Sequence, residues 1–326
     1  MRPKLKITCF ACCRALIEAG CDVDARSARG ETALHLALSG RQLSRDLVVT
    51  LLDAGCDATI HENLRHQTPL HQIIRHLSSA ASASSSPFPS LQCTFLNDAL
   101  LETFQRLAKC GNVNALDHRS RTPLHRLAAS NCDHIQAFHI LFKHGADLNI
   151  RNDRGETALH EALERDRASS IVIALASETD LYCRSNYHES ALHVAARKNR
   201  PDLVAYLLTR DVPVNGQDLR GNTALHLASG KGYKEVVGHL IQCQNVELNA
   251  PNKEGLTPLH FAVESGFIDV VEMLLKAEAC DVTAKTKMRQ TPLDLAQQDY
   301  RRRSQPEMSL VLTRELARRH SSSRFS

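Results

Sequence analysis

Gly221-Asn222-Thr223-Ala224-Leu225-His226-Leu227-Ala228 carries the architecture of this chain, because variants of it recur from end to end. The core Thr/Ser-Ala/Pro-Leu-His stands at 32–35, 68–71, 122–125, 157–160, 190–193, 223–226 and 257–260, and Thr-Pro-Leu-Asp stands at 291–294. The last five starts lie 33 to 34 residues apart. A fixed period of that size predicts an array of stacked units.

The chemistry of one unit follows from its residues. Thr223 suits a helix N-cap, where its hydroxyl accepts from an otherwise orphaned amide of the first turn. The next position is Pro69, Pro123, Pro258 or Pro292 in four copies and Ala in the others; both suit the first helical position, where the missing proline N–H is not needed. Leucine follows in every copy, as a buried knob. The histidine after it has one donor and one acceptor when neutral, so it can bridge the cap of its own unit to a neighbour's backbone. A second helix is predicted at Lys234–Ile241, with Val236, Val237, Leu240 and Ile241 on one apolar stripe. Asn249-Ala250-Pro251-Asn252 then turns the chain toward the next motif.

A lone helix–turn–helix unit cannot bury its apolar face, whereas a stack can. The pattern resembles the ankyrin repeat, and the resemblance covers nearly the whole chain. It implies an all-α ankyrin-repeat solenoid of stacked helix–turn–helix units with projecting hairpin loops. Residues 1–31 read as a partial N-terminal repeat and hairpin, 32–320 as eight repeats, and 321–326 as a disordered tail. Repeat two, 68–121, is long, and its excess falls in the Ser/Ala/Pro-rich stretch 78–90, read as a flexible insertion between two helices. The eighth repeat replaces histidine with Asp294 and then turns polar, as a capping unit requires.

Composition narrows the remaining classes. Aromatic residues make up 4% of the chain and Trp is absent, which suits thin helices packed by Leu, Ala and Val. No apolar run reaches membrane-spanning length. The basic then apolar opening, Met1 to Cys13, resembles a signal peptide only faintly, since Arg14 cuts the run short and Phe10–Gly20 reads better as the second helix of an incomplete first repeat. Eleven cysteines raise a disulfide or metal reading. Yet Cys21, Cys56 and Cys280 stand before Asp where Ala146 stands in Gly145-Ala146-Asp147, the register of a small apolar side chain. Free buried thiols in a reducing compartment are therefore expected, with a cytoplasmic or nuclear location. Residues 301–326 carry seven Arg and two Glu, net +5; the whole chain is +4, so residues 1–300 sum to −1.

Candidate sites follow from register. Three residues before each opening Thr or Ser stand Arg29, Arg65, Arg119, Arg154, Tyr187, Arg220, Glu254 and Met288. The resemblance implies that hairpin tips and exposed inner-helix positions form the partner surface. A row of guanidinium groups there suits an acidic protein, since arginine binds carboxylates in bidentate fashion; the alternative is a row of merely solvated charges. The residue before each motif needs positive φ, and glycine supplies it at Gly30, Gly155, Gly221 and Gly255, while His66, Ser120, His188 and Arg289 stand at the other four. The motif histidines are structural by register. His61, His66, His71 and His76 are spaced by five and share no helical face, so they make no metal site. Gly230-Lys231-Gly232 lacks the full spacing of a phosphate-binding loop.

Two modification sites are expected. Asn149, in Ala146-Asp147-Leu148-Asn149 with Leu141 upstream, is similar to the pattern of ankyrin-repeat proteins hydroxylated at a hairpin asparagine by the oxygen-sensing dioxygenase. Asn249 matches less well, and a plain turn-forming role is the alternative. Arg318-Arg319-His320-Ser321 resembles a basophilic-kinase site, which places phosphorylation at Ser321.

No nucleophile with its base, carboxylate pair or metal cluster stands outside the repeat register, so catalysis, cofactors and a small-molecule substrate are not expected. The reading is a non-catalytic scaffold or adaptor that binds another protein along a concave face and its hairpin tips. The alternative is a regulatory adaptor, either a ubiquitin-ligase substrate receptor or a cytoplasmic inhibitor of a transcription factor. Nucleic acid or anionic membrane contact through the basic C-terminus is a weak third reading, because the arginines there lack interleaved aromatics.

Overall fold

The computed structural model describes the backbone of residues 10–40, 43–84, 91–130, 135–303 and 306–322. It divides into two compact units, Met1–Thr179 and Asp180–Ser326. Among the described residues every regular element is a helix.

The first unit holds α1 (Phe10–Glu18), α2 (Ala33–Ser39), α3 (Arg45–Asp53), α4 (Pro69–Ser84), α5 (Leu91–Cys110), α6 (Pro123–Ala129), α7 (Ile135–Lys143), α8 (Ala158–Glu164) and α9 (Ser169–Glu178). The motif-opening helices form one layer, with α2 on α4, α4 on α6 and α6 on α8. Their partners form the second, with α1 on α3, α3 on α5, α5 on α7 and α7 on α9. The second unit repeats the scheme. It contains α10 (Ala191–Arg197), α11 (Pro201–Leu208), α12 (Ala224–Ser229), α13 (Lys234–Gln242), α14 (Pro258–Ser265), α15 (Ile268–Lys276), α16 (Pro292–Arg303) and α17 (Pro306–Ser322). There α10, α12, α14 and α16 form one layer and α11, α13, α15 and α17 the other.

The opening helices are too short to persist alone, so tertiary contacts hold them. The leucine knobs Leu34, Leu70, Leu124, Leu159, Leu192, Leu225 and Leu259 are buried, each worth roughly 2–3 kcal/mol of apolar burial. Leu293 of the eighth copy is only half-buried, on a helix that packs against α14 and α17. On α13, Val236, Val237 and Leu240 are buried as the stripe predicts, and Ile241 is half-buried at its edge.

The motif histidine is the pin between successive repeats. In the first copy the Thr32 N–H donates to His35 Nδ1 (3.2 Å), so Nδ1 is unprotonated and the proton sits on Nε2. Nε2 then donates to the Gln67 carbonyl of the next repeat (3.1 Å). The same pin joins His71 to Arg121, His125 to Glu156, His193 to Asn222, His226 to Leu256 and His260 to Gln290. Burial is the leading cause that lowers the pKa of all six, with His71, His125 and His226 taken down to about 4. Asp294 keeps only the acceptor half: its Oδ2 takes the Thr291 N–H (2.8 Å) and hydroxyl (2.7 Å).

Three expectations change. The stretch 78–84 is not a loop, because α4 continues through it to Ser84; alanine favours helix strongly, serine is tolerated, and no Gly or Pro intervenes before Pro87. Residues 85–90, the rest of that insertion, lie outside the described residues, and α5 already runs from Leu91. The tail is not irregular from 321, since α17 runs to Ser322, held by buried Met308 and Leu312; residues 323–326 lie outside the described residues. The cysteines divide: Cys13, Cys56 and Cys280 are buried, but Cys12, Cys21 and Cys110 are exposed thiols. Burial pushes the Cys56 and Cys280 thiols up to about 11.

Candidate protein-binding surface

Each hairpin tip is built by one polar residue that the sequence reading passed over. Asp117 is buried, and its Oδ1 accepts the N–H groups of Arg119 (2.8 Å) and Arg121 (3.0 Å). Asn152 holds Arg154 and Glu156 in the same way, both at 2.9 Å. Ser27 holds Arg29, Ser185 holds Tyr187, Asp218 holds Arg220 and Asn252 holds Glu254. These side-chain turns reinforce a tight loop that backbone bonds also close, as Asp117 N–H to the Arg121 carbonyl (2.9 Å) and Ser120 N–H to the Asp117 carbonyl (2.9 Å) do. A short polar residue five positions before most opening Thr or Ser residues was the available signal. Repeat two departs in length, because its tip has one more residue; the longer Glu62 reaches the amides of Leu64 and Arg65, both at 2.7 Å.

Successive tips are locked in register through their backbones. The Arg29 carbonyl accepts from Asn63 (2.9 Å), Arg65 from His118 (2.9 Å) and Arg119 from Asp153 (3.0 Å). In the second unit Tyr187 accepts from Leu219, Arg220 from Lys253 and Glu254 from Lys287. A second ladder lies at the hairpin bases. The side chains of Asp24, Asn114, Asn215 and Asn249 accept from the amides of Asp57, Asp147, Glu247 and Asp281 in the following repeat.

Arg29, Arg65, Arg119 and Arg154 are therefore brought together as an exposed series on the first unit. Arg220 belongs to the second unit, where its neighbours in the tip series are the exposed Tyr187 and Glu254. None of these five guanidinium groups makes a side-chain hydrogen bond or ion pair with another of the described residues. Arginines lower on the hairpins are spent differently: Arg26 donates to the His61 carbonyl and to Asn63 Oδ1, each at 3.0 Å, clamping one hairpin to the next. The positive-φ positions fall where the register puts them, at Gly30, Gly155, Gly221 and Gly255 and at His66, Ser120, His188 and Arg289.

The spaced histidines serve three separate ends. His61 and His66 stack (ring centroids 5.1 Å apart), His71 is a pin, and His76 Nε2 meets the Leu38 carbonyl (2.8 Å). Asn149 is exposed at a hairpin base, with its amide donating to Asp147 Oδ1 (2.9 Å). Near Ser321, Arg318 and Arg319 both pair with Glu315, and hydrogen bonding from Arg318 leads in bringing that carboxyl down to about 2. Arg319 also donates to the carbonyls of Leu275 (3.1 Å) and Cys280, which ties α17 to the end of α15.

The family described as Ankyrin repeats (3 copies) matches residues 92–185, 169–252, 192–286 and 231–303, well over half of the chain. The chain belongs to the ankyrin-repeat family. Among its curated relatives is Neurogenic locus notch homolog protein 1 of Homo sapiens, 32% identical over 146 residues, which are 40% of this chain and 5% of that protein. The Danio rerio counterpart is 31% identical over 145 residues, 40% of this chain and 6% of that protein. The E3 ubiquitin-protein ligase KEG of Arabidopsis thaliana is 25% identical over 190 residues, 51% of this chain and 12% of that protein. This ankyrin chain thus spans 5% to 12% of the length of these relatives. Ankyrin repeats are protein–protein interaction modules, and no helix among the described residues is long and apolar enough to cross a membrane.

Proposed function

We propose that this chain is a non-catalytic interaction scaffold that docks an acidic partner protein across the hairpin tips and inner helices of its first unit. The observation that supports it is the series of four tip arginines that make no side-chain hydrogen bond or ion pair among the described residues and whose backbones are bonded from tip to tip before any partner arrives. A preformed surface spares the ordering cost of binding, and bidentate guanidinium–carboxylate contacts supply orientation. The proposed location is cytoplasmic or nuclear.

A second reading is a regulatory adaptor of the ubiquitin-ligase class, favoured by the similarity over 51% of the chain to a protein named as an E3 ligase. Hydroxylation at Asn149 and phosphorylation at Ser321 are proposed modifications; the second requires the last turn of α17 to open. Mass spectrometry of protein purified from cells reads both, and unmodified Asn149 and Ser321 count against them.

Proximity labelling in cells tests the main reading. Wild type is compared with a variant carrying Arg29, Arg65, Arg119 and Arg154 changed to Ser, after its melting temperature is shown to match. Loss of a shared partner set supports the tip series. An unchanged set sinks it, and recovery of ubiquitin-ligase subunits favours the second reading.

A further inference from the structure

Between Ile74 and Arg75 in the body of α4 and the C-terminal ends of α6 and α8 opens a cavity of about 320 Å³; among the described residues its lining also includes Arg121, Arg126, Ala129, Ser130 and Arg165 and none that is acidic. The four guanidinium groups come from three consecutive repeats, so only the stack assembles them. Their internal partners are few. Arg75 donates to the Leu38 carbonyl (3.0 Å) and Arg121 to Asp117 Oδ2 (3.0 Å). Arg126 must share that same carboxylate, at 3.7 Å, and its buried Nε has no hydrogen-bond partner among the described residues. Arg165 makes no side-chain hydrogen bond or ion pair among the described residues. Burial first, then the charge of Arg121, disfavours the cationic form of Arg126, with Asp117 opposing. An incoming anion relieves that imbalance.

We propose that this pocket seats a carboxylate side chain from an acidic segment of the partner, engaged by Arg165, Arg126 and Arg75. Small Ala129 and Ser130 leave room for it at the floor. Carboxylate is favoured over an extended phosphate backbone by the neighbouring recess, which shares Arg121 and Arg165 but is also lined by Asp153, Glu156, Glu161 and Glu164. Alternating charge admits a localised anion and repels a regularly charged polymer. The proposal rests on the protein-binding reading above and narrows it to one anchoring site.

The test titrates the full chain into a fluorescein-labelled glutamate-rich peptide, with a glutamine-rich peptide, inorganic phosphate and a single-stranded oligonucleotide as competitors. The expected result is saturable anisotropy that the unlabelled glutamate peptide displaces and the glutamine peptide does not. Arg165→Gln should weaken it about tenfold or more with a nearly unchanged melting curve, since that side chain makes no hydrogen bond or ion pair among the described residues. Arg220→Gln, a tip arginine that is not part of the pocket lining, should leave the affinity within about twofold, since a charge outside the anchoring site contributes little. Absent binding, equal weakening by Arg220→Gln, an unchanged affinity in Arg75→Gln/Arg165→Gln, or stronger displacement by phosphate or the oligonucleotide each overturns the pocket. Should Arg165→Gln keep every cellular partner while the tip variant loses them, the pocket falls and the protein-binding reading stands.

Discussion

Acidification offers a direct probe of the histidine pins, because their geometry admits only one protonation state. Each imidazole accepts at Nδ1 from its own cap and donates from Nε2 to the next repeat, so a second proton would face the Thr amide. His71 and His125 titrate at about 4 in the fold, burial being the main cause, against 6.5 when unfolded. The native state therefore binds fewer protons than the unfolded chain across that interval, and stability rises with pH through it. Full stabilisation is present above about pH 6.5, is lost as pH falls toward about 4, and changes no further below it on account of these groups. Each histidine contributes a slope of about 1.4 kcal/mol per pH unit, or about 2 kcal/mol between pH 6.5 and 5. For the first unit His71 and His125 together give about 4 kcal/mol, with His35 adding in the same direction. That is a large share of the roughly 5–15 kcal/mol typical of a domain, and corresponds to a fall of roughly 10 °C in melting temperature. Melts followed by far-UV circular dichroism at about pH 7, 6 and 5, at constant ionic strength, measure it. His125→Gln should lower the melting temperature at neutral pH and reduce the slope by one histidine's worth. A melting temperature flat over this range, with loss only where carboxylates titrate, would refute the pin account.

Other substitutions read other parts of the structure. His188→Gly should stabilise by about 0.5–1 kcal/mol in chemical denaturation, because a histidine at φ +59° is strained there and glycine is not. Gly221→Ala should destabilise by more than about 1 kcal/mol, since its φ is +79° and an added Cβ would meet the Lys253 backbone nitrogen at 2.7 Å. Arg319→Gln should cost about 1–3 kcal/mol and raise hydrogen exchange across α17, because the carbonyls of Leu275 and Cys280 lose their donor. Asp117→Ala should loosen the Arg119 tip and increase exchange at residues 118–121, with stability falling by about 1–3 kcal/mol.

The periodic motif made the helices legible because cap, knob and pin are local: Thr122, Leu124 and His125 each state their role within one turn. The positive-φ joints were legible for the same reason, down to Ser120 and Arg289. The hairpin caps were harder, since Ser27, Glu62, Asp117 and Asn152 perform one task with four different side chains, and Glu62 adjusts for a tip of different length. The arginine pocket was not legible at all. Arg75, Arg126 and Arg165 occupy different positions within their repeats, and only the packing of α4, α6 and α8 converges them. The run 78–84 misled through composition, where serine suggested a loop and alanine sustained a helix.

Hydrogen exchange of the chain, alone and with the partner captured by proximity labelling, tests the central claim most directly. The account predicts protection concentrated at residues 27–31, 62–66, 117–121 and 152–156, together with α4 around Arg75 and the C-terminal ends of α6 and α8. Protection confined to the second unit or to α17, with those segments unchanged, would contradict it.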